Sequence, residues 1–236
     1  MKVKNSVALV TGANRGLGHA FAQALIAGGA KKVYAGTRDL ANIKFAGVKS
    51  VKLDVTRADE IAAAVKACPD VTLLINNAGI VRGGTLLALN SMAAARAEIE
   101  TNFFGPMAVS SAFAPVLAAN GGGAIVNILS VLSWVSFEGY ATYCASKSAA
   151  WSLTNSLRNE LRAQGTQVLA LHVGLMDTDM TKGVTAPKVQ PADVVRQVLE
   201  ALEAGKEEVL ADEVSRYVKQ GLSAPRGVYL DAPPRG

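Results

Sequence analysis

Tyr143 and Lys147 stand four residues apart in Tyr-Cys-Ala-Ser-Lys, a spacing that puts both side chains on one face of a helix and sets a phenol beside an ammonium. Free tyrosine titrates near about 10, so it exchanges protons at neutral pH only where something favours the phenolate, and an adjacent cation does so. A tyrosine packed on a lysine stem is the bland alternative for such a pair. Ser130, thirteen residues upstream of Tyr143, supplies a hydroxyl suited to a substrate oxygen on which negative charge develops. Near the N-terminus, Thr11 to Gly18 reads TGANRGLG. Together these make a nucleotide site followed by an acid/base site. Tyr140 competes with Tyr143 but lies seven residues before Lys147, about two helical turns away, and is assigned to the pocket or helix start. His172, at a strand end with no Asp or Ser in pattern, reads as structural, and Cys144 is given no role.

The elements that must position these groups alternate. Short β-branched runs occur at Val7 to Val10, Lys32 to Ala35, Val48 to Leu53, Val71 to Ile75, Ala124 to Ile128, Thr166 to His172 and Glu208 to Leu210. Between most of them lie Ala- and Leu-rich helical stretches: Leu17 to Ala27, Asp59 to Ala67 with Thr56 and Asp59 spaced like a capping box, Ser91 to Ala118 bent at Gly105-Pro106, and Tyr140 to Gln164. Alternation implies parallel βαβ units, and continuously apolar strands imply a sheet covered on both faces. The expected fold is therefore α/β, a three-layer, doubly wound parallel sheet of the Rossmann type, in a single domain spanning residues 1–236.

TGANRGLG follows a predicted strand and opens a predicted helix, the context in which glycines let the backbone approach a pyrophosphate at a helix N-terminus. Asp54-Val55 and Asn76-Asn77-Ala78-Gly79 close later strands, at the carboxyl edge where open α/β sheets bind ligands. A helix cap and a plain turn are the alternatives there. At the end of the second strand, where an NAD enzyme places an acid to accept from the adenosine ribose, this chain has Thr37 and Arg38. A neutral hydroxyl and a planar guanidinium suit a 2′-phosphate, so NADP(H) is expected. Asp39, two residues past Thr37, is the counter-evidence.

In this ordered set the chain resembles the short-chain dehydrogenase/reductase family over nearly its whole length. The resemblance implies a cofactor loop contributing Gly12, Asn14, Arg15, Gly16, Leu17 and Gly18, with Arg15 meeting Arg38 on the phosphate. It implies an adenine contact at Asp54 and Val55, an NNAG motif with Asn77, Ala78 and Gly79 at the cofactor, and a helix asparagine, Asn102, holding a water that links Lys147 to solvent. Ser130, Tyr143 and Lys147 look like the family's catalytic serine and YxxxK pair, with Lys147 also reaching the nicotinamide ribose. Gly174 and Thr178 fall where the family binds the nicotinamide carboxamide. Two departures stand out: Val173 replaces a usual proline, expected to loosen that loop, and the chain after Ala211 lacks the usual glycine-rich final strand, which puts pocket closure and tetramer assembly in question.

The implied activity is carbonyl–alcohol interconversion with Tyr143 as acid/base. An apolar or aromatic substrate is expected, because Leu132, Trp134, Val135, Phe137, Leu175, Met176 and Met180 carry little charge. A non-enzymatic nucleotide sensor and a lyase or dehalogenase on the same fold are the alternatives. The net charge of +5 comes from scattered basic residues with no aromatic platform, which argues against nucleic acid. Cys68 and Cys144 form neither a CxxC nor a zinc pattern, so no metal is expected. Without a signal-peptide core, and with the apolar stretch Ala124 to Phe137 broken by polar residues, a cytoplasmic protein without membrane attachment is expected. The Ala- and Ser-rich long helices suggest a homodimer, with a homotetramer as the larger alternative.

Overall fold

The computed structural model describes residues 1–89 and 91–231. Seven parallel strands form one sheet in the order β3-β2-β1-β4-β5-β6-β7: β1 (Val7–Thr11), β2 (Lys32–Thr37), β3 (Lys49–Lys52), β4 (Leu73–Asn76), β5 (Ala124–Ile128), β6 (Gln167–His172) and β7 (Glu208–Leu210). Strand order reverses beside β1, so β1 and β4 flank the switch point where their following loops diverge and leave a crevice. β1, β4 and the core of β5 are buried on both faces, as a sheet sandwiched between helices requires.

On one face lie α1 (Gly16–Ala27) and α6 (Pro191–Glu203), packed over Val10, Ile75, Val126 and Leu171. On the other lie α2 (Ala58–Ala67), α4 (Gly105–Ala119) and α5 (Ala141–Glu160), whose Ile61, Phe113 and Leu157 close a core around Leu9, Leu74 and Ile125. The doubly wound parallel sheet in three layers is thus the observed architecture.

Several local expectations change. The segment expected as one bent helix is α3 (Ser91–Ile99), a π-helical turn (Glu100–Phe104) and α4, with Pro106 in the first turn of α4, directly after the wider turn. This Ser91–Ala119 run, not Ala124 to Phe137, has the length and hydropathy of a membrane span (mean hydropathy 1.3). It nevertheless buries Val109, Phe113 and Leu117 against the sheet. Thr56 and Asp59 form no capping box: Thr56 Oγ1 donates to Asp54 Oδ1 at 2.7 Å, and Asp59 pairs with Arg57. After β7 the chain folds into α7 (Glu213–Gly221), which docks Val218 against Val131 and Trp134. The C-terminal region therefore does cover the segment that follows Ser130.

Candidate active site

The carboxyl ends of β1 and β4 are tied by one hydroxyl and one amide. Thr11 Oγ1 accepts the N–H groups of Asn77 and Ala78, each at 3.0 Å, while Asn77 Nδ2 donates to the carbonyls of Thr11 and Gly12 at 2.9 and 3.1 Å. Asn77 is thus spent on holding the glycine loop in place. That loop must run close: a Cβ on Gly18 would collide with the Gly12 carbonyl and lie 2.5 Å from Asn77 Nδ2. Gly12, at φ +65°, approaches Ala78 so closely that an added Cβ would sit 3.1 Å from its Cα. α1 then opens at Arg15 with no side-chain cap, so its first amides are not claimed by a capping side chain. A glycine-walled turn feeding an uncapped helix N-terminus fits a dinucleotide pyrophosphate.

Around this cradle the other expected cofactor residues divide. Thr37 is buried at the end of β2 and donates to the Asp39 carbonyl at 3.1 Å, and Arg38 is exposed beside it. Asp39 caps the Leu40–Asn42 turn, Oδ1 accepting from the Ala41 N–H at 3.0 Å. Arg15 does not meet Arg38; its guanidinium pairs with Asp179 at 3.1 Å, both side chains about two-thirds exposed. An exposed pair of this kind contributes at most about 1 kcal/mol, so a phosphate can displace it. Thr178 caps the Asp179–Thr181 turn directly over Gly16. Asp54 Oδ1 is committed to Thr56, and Val55 and Leu17 are buried in the core. Asn14 lies half-buried in the loop. Val173 does not loosen its segment: it is buried, and its carbonyl accepts the Val131 N–H at 3.1 Å.

The acid/base residues converge where β5 ends. Ser130 caps the Val131–Ser133 turn, its Oγ accepting the Leu132 N–H at 3.1 Å. Because that oxygen already accepts, its own proton is left to donate. Tyr143 stands half-buried in the first turn of α5. Burial pushes its phenol above the ordinary tyrosine range, with Cys144 and Glu98 adding to the rise and the Ser130 hydroxyl opposing it. Lys147 is buried, donates to the Ile128 carbonyl at 2.8 Å and lies 5.7 Å from the Tyr143 ring centre; burial lowers its ammonium to about 8. The net shift of the phenol is thus upward, opposite to the lowering expected from Lys147, and desolvation is its largest cause.

Beside Lys147 lies a cavity of about 10 Å³ bounded by Asn76, Ala78, Asn102, Asn127 and Ile128, room for roughly one water. Asn76 Oδ1 faces burial without a hydrogen-bond partner among the described residues. Asn102 Oδ1 accepts from the Ile80 N–H, and both Nδ2 protons are used, on the Ile80 carbonyl and Ser146 Oγ, each bond at 2.9 Å. A water here would have Asn76 Oδ1, Lys147 and the open lone pair of Asn102 Oδ1 around it.

These positions lie in residues 6–188, which match the family model for short chain dehydrogenase. The chain belongs to the short-chain dehydrogenase/reductase family. Among its relatives, the 3-oxoacyl-(acyl-carrier-protein) reductase FabG of Salmonella typhimurium is 29% identical, covering 98% of this chain and 100% of the relative. The corresponding reductase of Synechocystis sp. is 34% identical over 78% and 79% of the two chains. A crystal structure of a short chain dehydrogenase from Burkholderia cenocepacia in complex with NADP is 40% identical, with a TM-score of 0.91 and 95% of each chain covered. This oxidoreductase therefore shares its fold with proteins that bind a nicotinamide nucleotide.

Within this dehydrogenase/reductase the expected substrate wall is only partly exposed. Phe137, Leu175 and Met180 are open, as is Tyr140, the N-cap of α5. Trp134 and Met176 belong to the core, Trp134 stacking on His172 with ring centres 3.7 Å apart. Leu132 and Val135 are half-buried beside α7. Sequence reasoning missed Glu98, a fully buried carboxylate accepting from Arg82 N–H at 2.6 Å, and Asp212, which touches Gly174. Glu98 left one signal, an acid four residues before Asn102 on a helix, hence on the same face.

His172 is structural, as expected. Its Nδ1 lies 3.1 Å from the Ser130 carbonyl, an acceptor, so Nδ1 carries the proton. Burial holds its pKa down at about 4, against the opposing pull of the Ser130 carbonyl and Glu208. The unfolded chain, titrating near about 6.5, then binds the extra proton first, so stability is present above that value and is lost as pH falls toward 4. Urea unfolding at successive pH values should show wild type losing on the order of 3 kcal/mol more than His172→Gln between pH 7 and pH 4. Parallel curves for the two proteins would contradict a buried neutral imidazole.

Proposed function

We propose that this protein is an NADP(H)-dependent carbonyl reductase or alcohol dehydrogenase in which Tyr143 transfers the proton. The observation that carries the reading is the convergence of a protonated Tyr143, a donor-ready Ser130 hydroxyl and the buried Lys147 ammonium at the end of β5. NADP(H), when bound, supplies or accepts the hydride. The Ser130 hydroxyl orients the substrate oxygen and meets the charge that grows on it. Tyr143, kept neutral by burial, donates its proton to that oxygen, which suits the reductive direction. Lys147 holds a cation within reach of a ribose and of the phenol once it ionises. The exposed Phe137, Leu175 and Met180 favour an apolar or aromatic ketone or aldehyde. The FabG relatives favour a second substrate class on the same chemistry, a 3-oxoacyl thioester. A panel of ketones, aldehydes and 3-oxoacyl thioesters followed by NADPH absorbance separates the two.

Tyr143→Phe should lower turnover on the order of 100-fold or more while leaving NADPH affinity nearly unchanged, and Lys147→Ala should weaken both. Activity of Tyr143→Phe within a few-fold of wild type would remove Tyr143 from the reaction.

Preference for NADP(H) rests on Thr37 and Arg38 at the end of β2, on Asp39 being committed to its turn, and on the NADP held by the Burkholderia neighbour. Charge-assisted hydrogen bonds to a 2′-phosphate contribute roughly 1.5 to 3 kcal/mol each, so kcat/KM should favour NADPH over NADH by at least about 10-fold. Measuring both cofactors on wild type and Arg38→Ala tests this; equal use by wild type, or an unchanged ratio in the variant, would overturn it.

The assembly we favour is a twofold homodimer through the long helices, since Phe104 and Met107 leave an apolar face outward on the Ser91–Ala119 run. Light scattering should give a dimer mass; a monomer would sink this arrangement.

A further inference from the structure

The loop after β6 depends on a residue outside the family-matched segment. Asp212 is 8% exposed and uses its two carboxylate oxygens on different partners. Oδ1 accepts the Ser215 N–H at 2.7 Å and so caps α7; Oδ2 accepts the Gly174 N–H at 2.5 Å. Both bonds are to an anion, and the N-terminus of α7 favours negative charge at that point. Gly174 has no side chain to anchor it, and a Cβ there would press to 3.2 Å from Oδ2. Glycine has the most backbone freedom to lose, so a fixed Gly174 needs a restraint from elsewhere. The same helix places Val218 against Val131 and Trp134, next to Ser130. One short helix therefore braces both loops that flank the reacting groups.

We propose that Asp212 is a positioning residue for the cofactor loop. Its carboxylate fixes Gly174 by a charge-assisted hydrogen bond and supplies the rigidity that a proline at position 173 would otherwise give. This rests on the reading that Gly174 contacts the nicotinamide, and it predicts that the two restraints are interchangeable.

The test separates the clamp from the helix cap. Asp212→Ser keeps an oxygen able to cap Ser215 but has no second oxygen for Gly174. In the ligand-free protein this variant should exchange the Gly174 amide at least about 10-fold faster, with the amides of α7 and the melting temperature close to wild type. NADPH fluorescence titration should show at least about 5-fold weaker binding. Asp212→Ala, losing cap and clamp together, should also melt lower. The double variant Asp212→Ser, Val173→Pro should recover most of the NADPH affinity without restoring the slow Gly174 exchange bond. Unchanged Gly174 exchange in Asp212→Ser, wild-type NADPH affinity in that variant, or no recovery with proline would each overturn the proposal. A wild-type protein that binds no NADPH fails before any variant is compared, and it is the functional reading that falls.

Discussion

Burying the ammonium of Lys147 is the constraint around which this site is built. A desolvated cation is costly unless hydrogen-bonded, and here the Ile128 carbonyl at the last residue of β5 takes one of its protons. Together with Ser148 Oγ donating to the Ser133 carbonyl and Asn127 Nδ2 donating to Thr154 Oγ1, that contact holds α5 against the end of β5, beside Ser130. It also limits what can stand nearby. Gly79 passes so close that a side chain would lie 3.9 Å from Nζ and 3.2 Å from Asn102 Oδ1, and the remaining space admits about one water. The polar side chains there, Asn76, Asn102 and Asn127, surround the charge with dipoles instead of carboxylates. Among the described residues the cation has no carboxylate partner, so hydroxyls can accept its remaining protons and a phenolate can balance its charge.

The second organising contact is neutral. Thr11 and Asn77 lock the ends of β1 and β4 together through four hydrogen bonds, leaving the amides that open α1 outside the network. Rigid strand ends and a helix N-terminus without a side-chain cap are thus adjacent in one arrangement. The residues that would face the far phosphate, Arg38 and Arg15, are by contrast exposed and weakly held, so they can adjust to a ligand at little cost.

All seven strands were legible in the sequence; the central ones, such as β1 and β4, because buried parallel strands leave continuous apolar runs, while the edge strands β3 and β7 are more exposed. Ser130, Tyr143, Lys147 and the glycine loop were legible because their chemistry restricts residue type and spacing. What was hidden depended on contacts across long stretches of chain. Asp212 reaches a partner thirty-eight residues away, and nothing local distinguishes it from any helix-capping aspartate. α7 was not expected because Val218 is its one buried apolar side chain, too little to mark a helix until Val131 and Trp134 are there to receive it. Trp134 and Met176 were placed in the pocket because their size and apolarity do not reveal which face of a loop they occupy. Asn77 was legible as part of a motif at a strand end, but its bonds to the Thr11 and Gly12 carbonyls, sixty-five and more residues away, were not.

The π-helical turn at Glu100–Phe104 carries a geometric consequence of its own. Buried positions along the α3 to α4 run are Glu98, Asn102, Gly105, Val109, Ser110, Phe113 and Leu117. On an uninterrupted α-helix at about 100° per residue, Glu98 would sit roughly a quarter-turn out of phase with Leu117. The wider turn absorbs about one residue of rotation and brings both back onto one stripe. A single rod can then present hydrocarbon to the sheet at one end and amide and carboxylate to the reacting groups at the other. The π-turn acts as a phase corrector, and a helical wheel drawn at constant pitch would misplace every side chain on its upstream half.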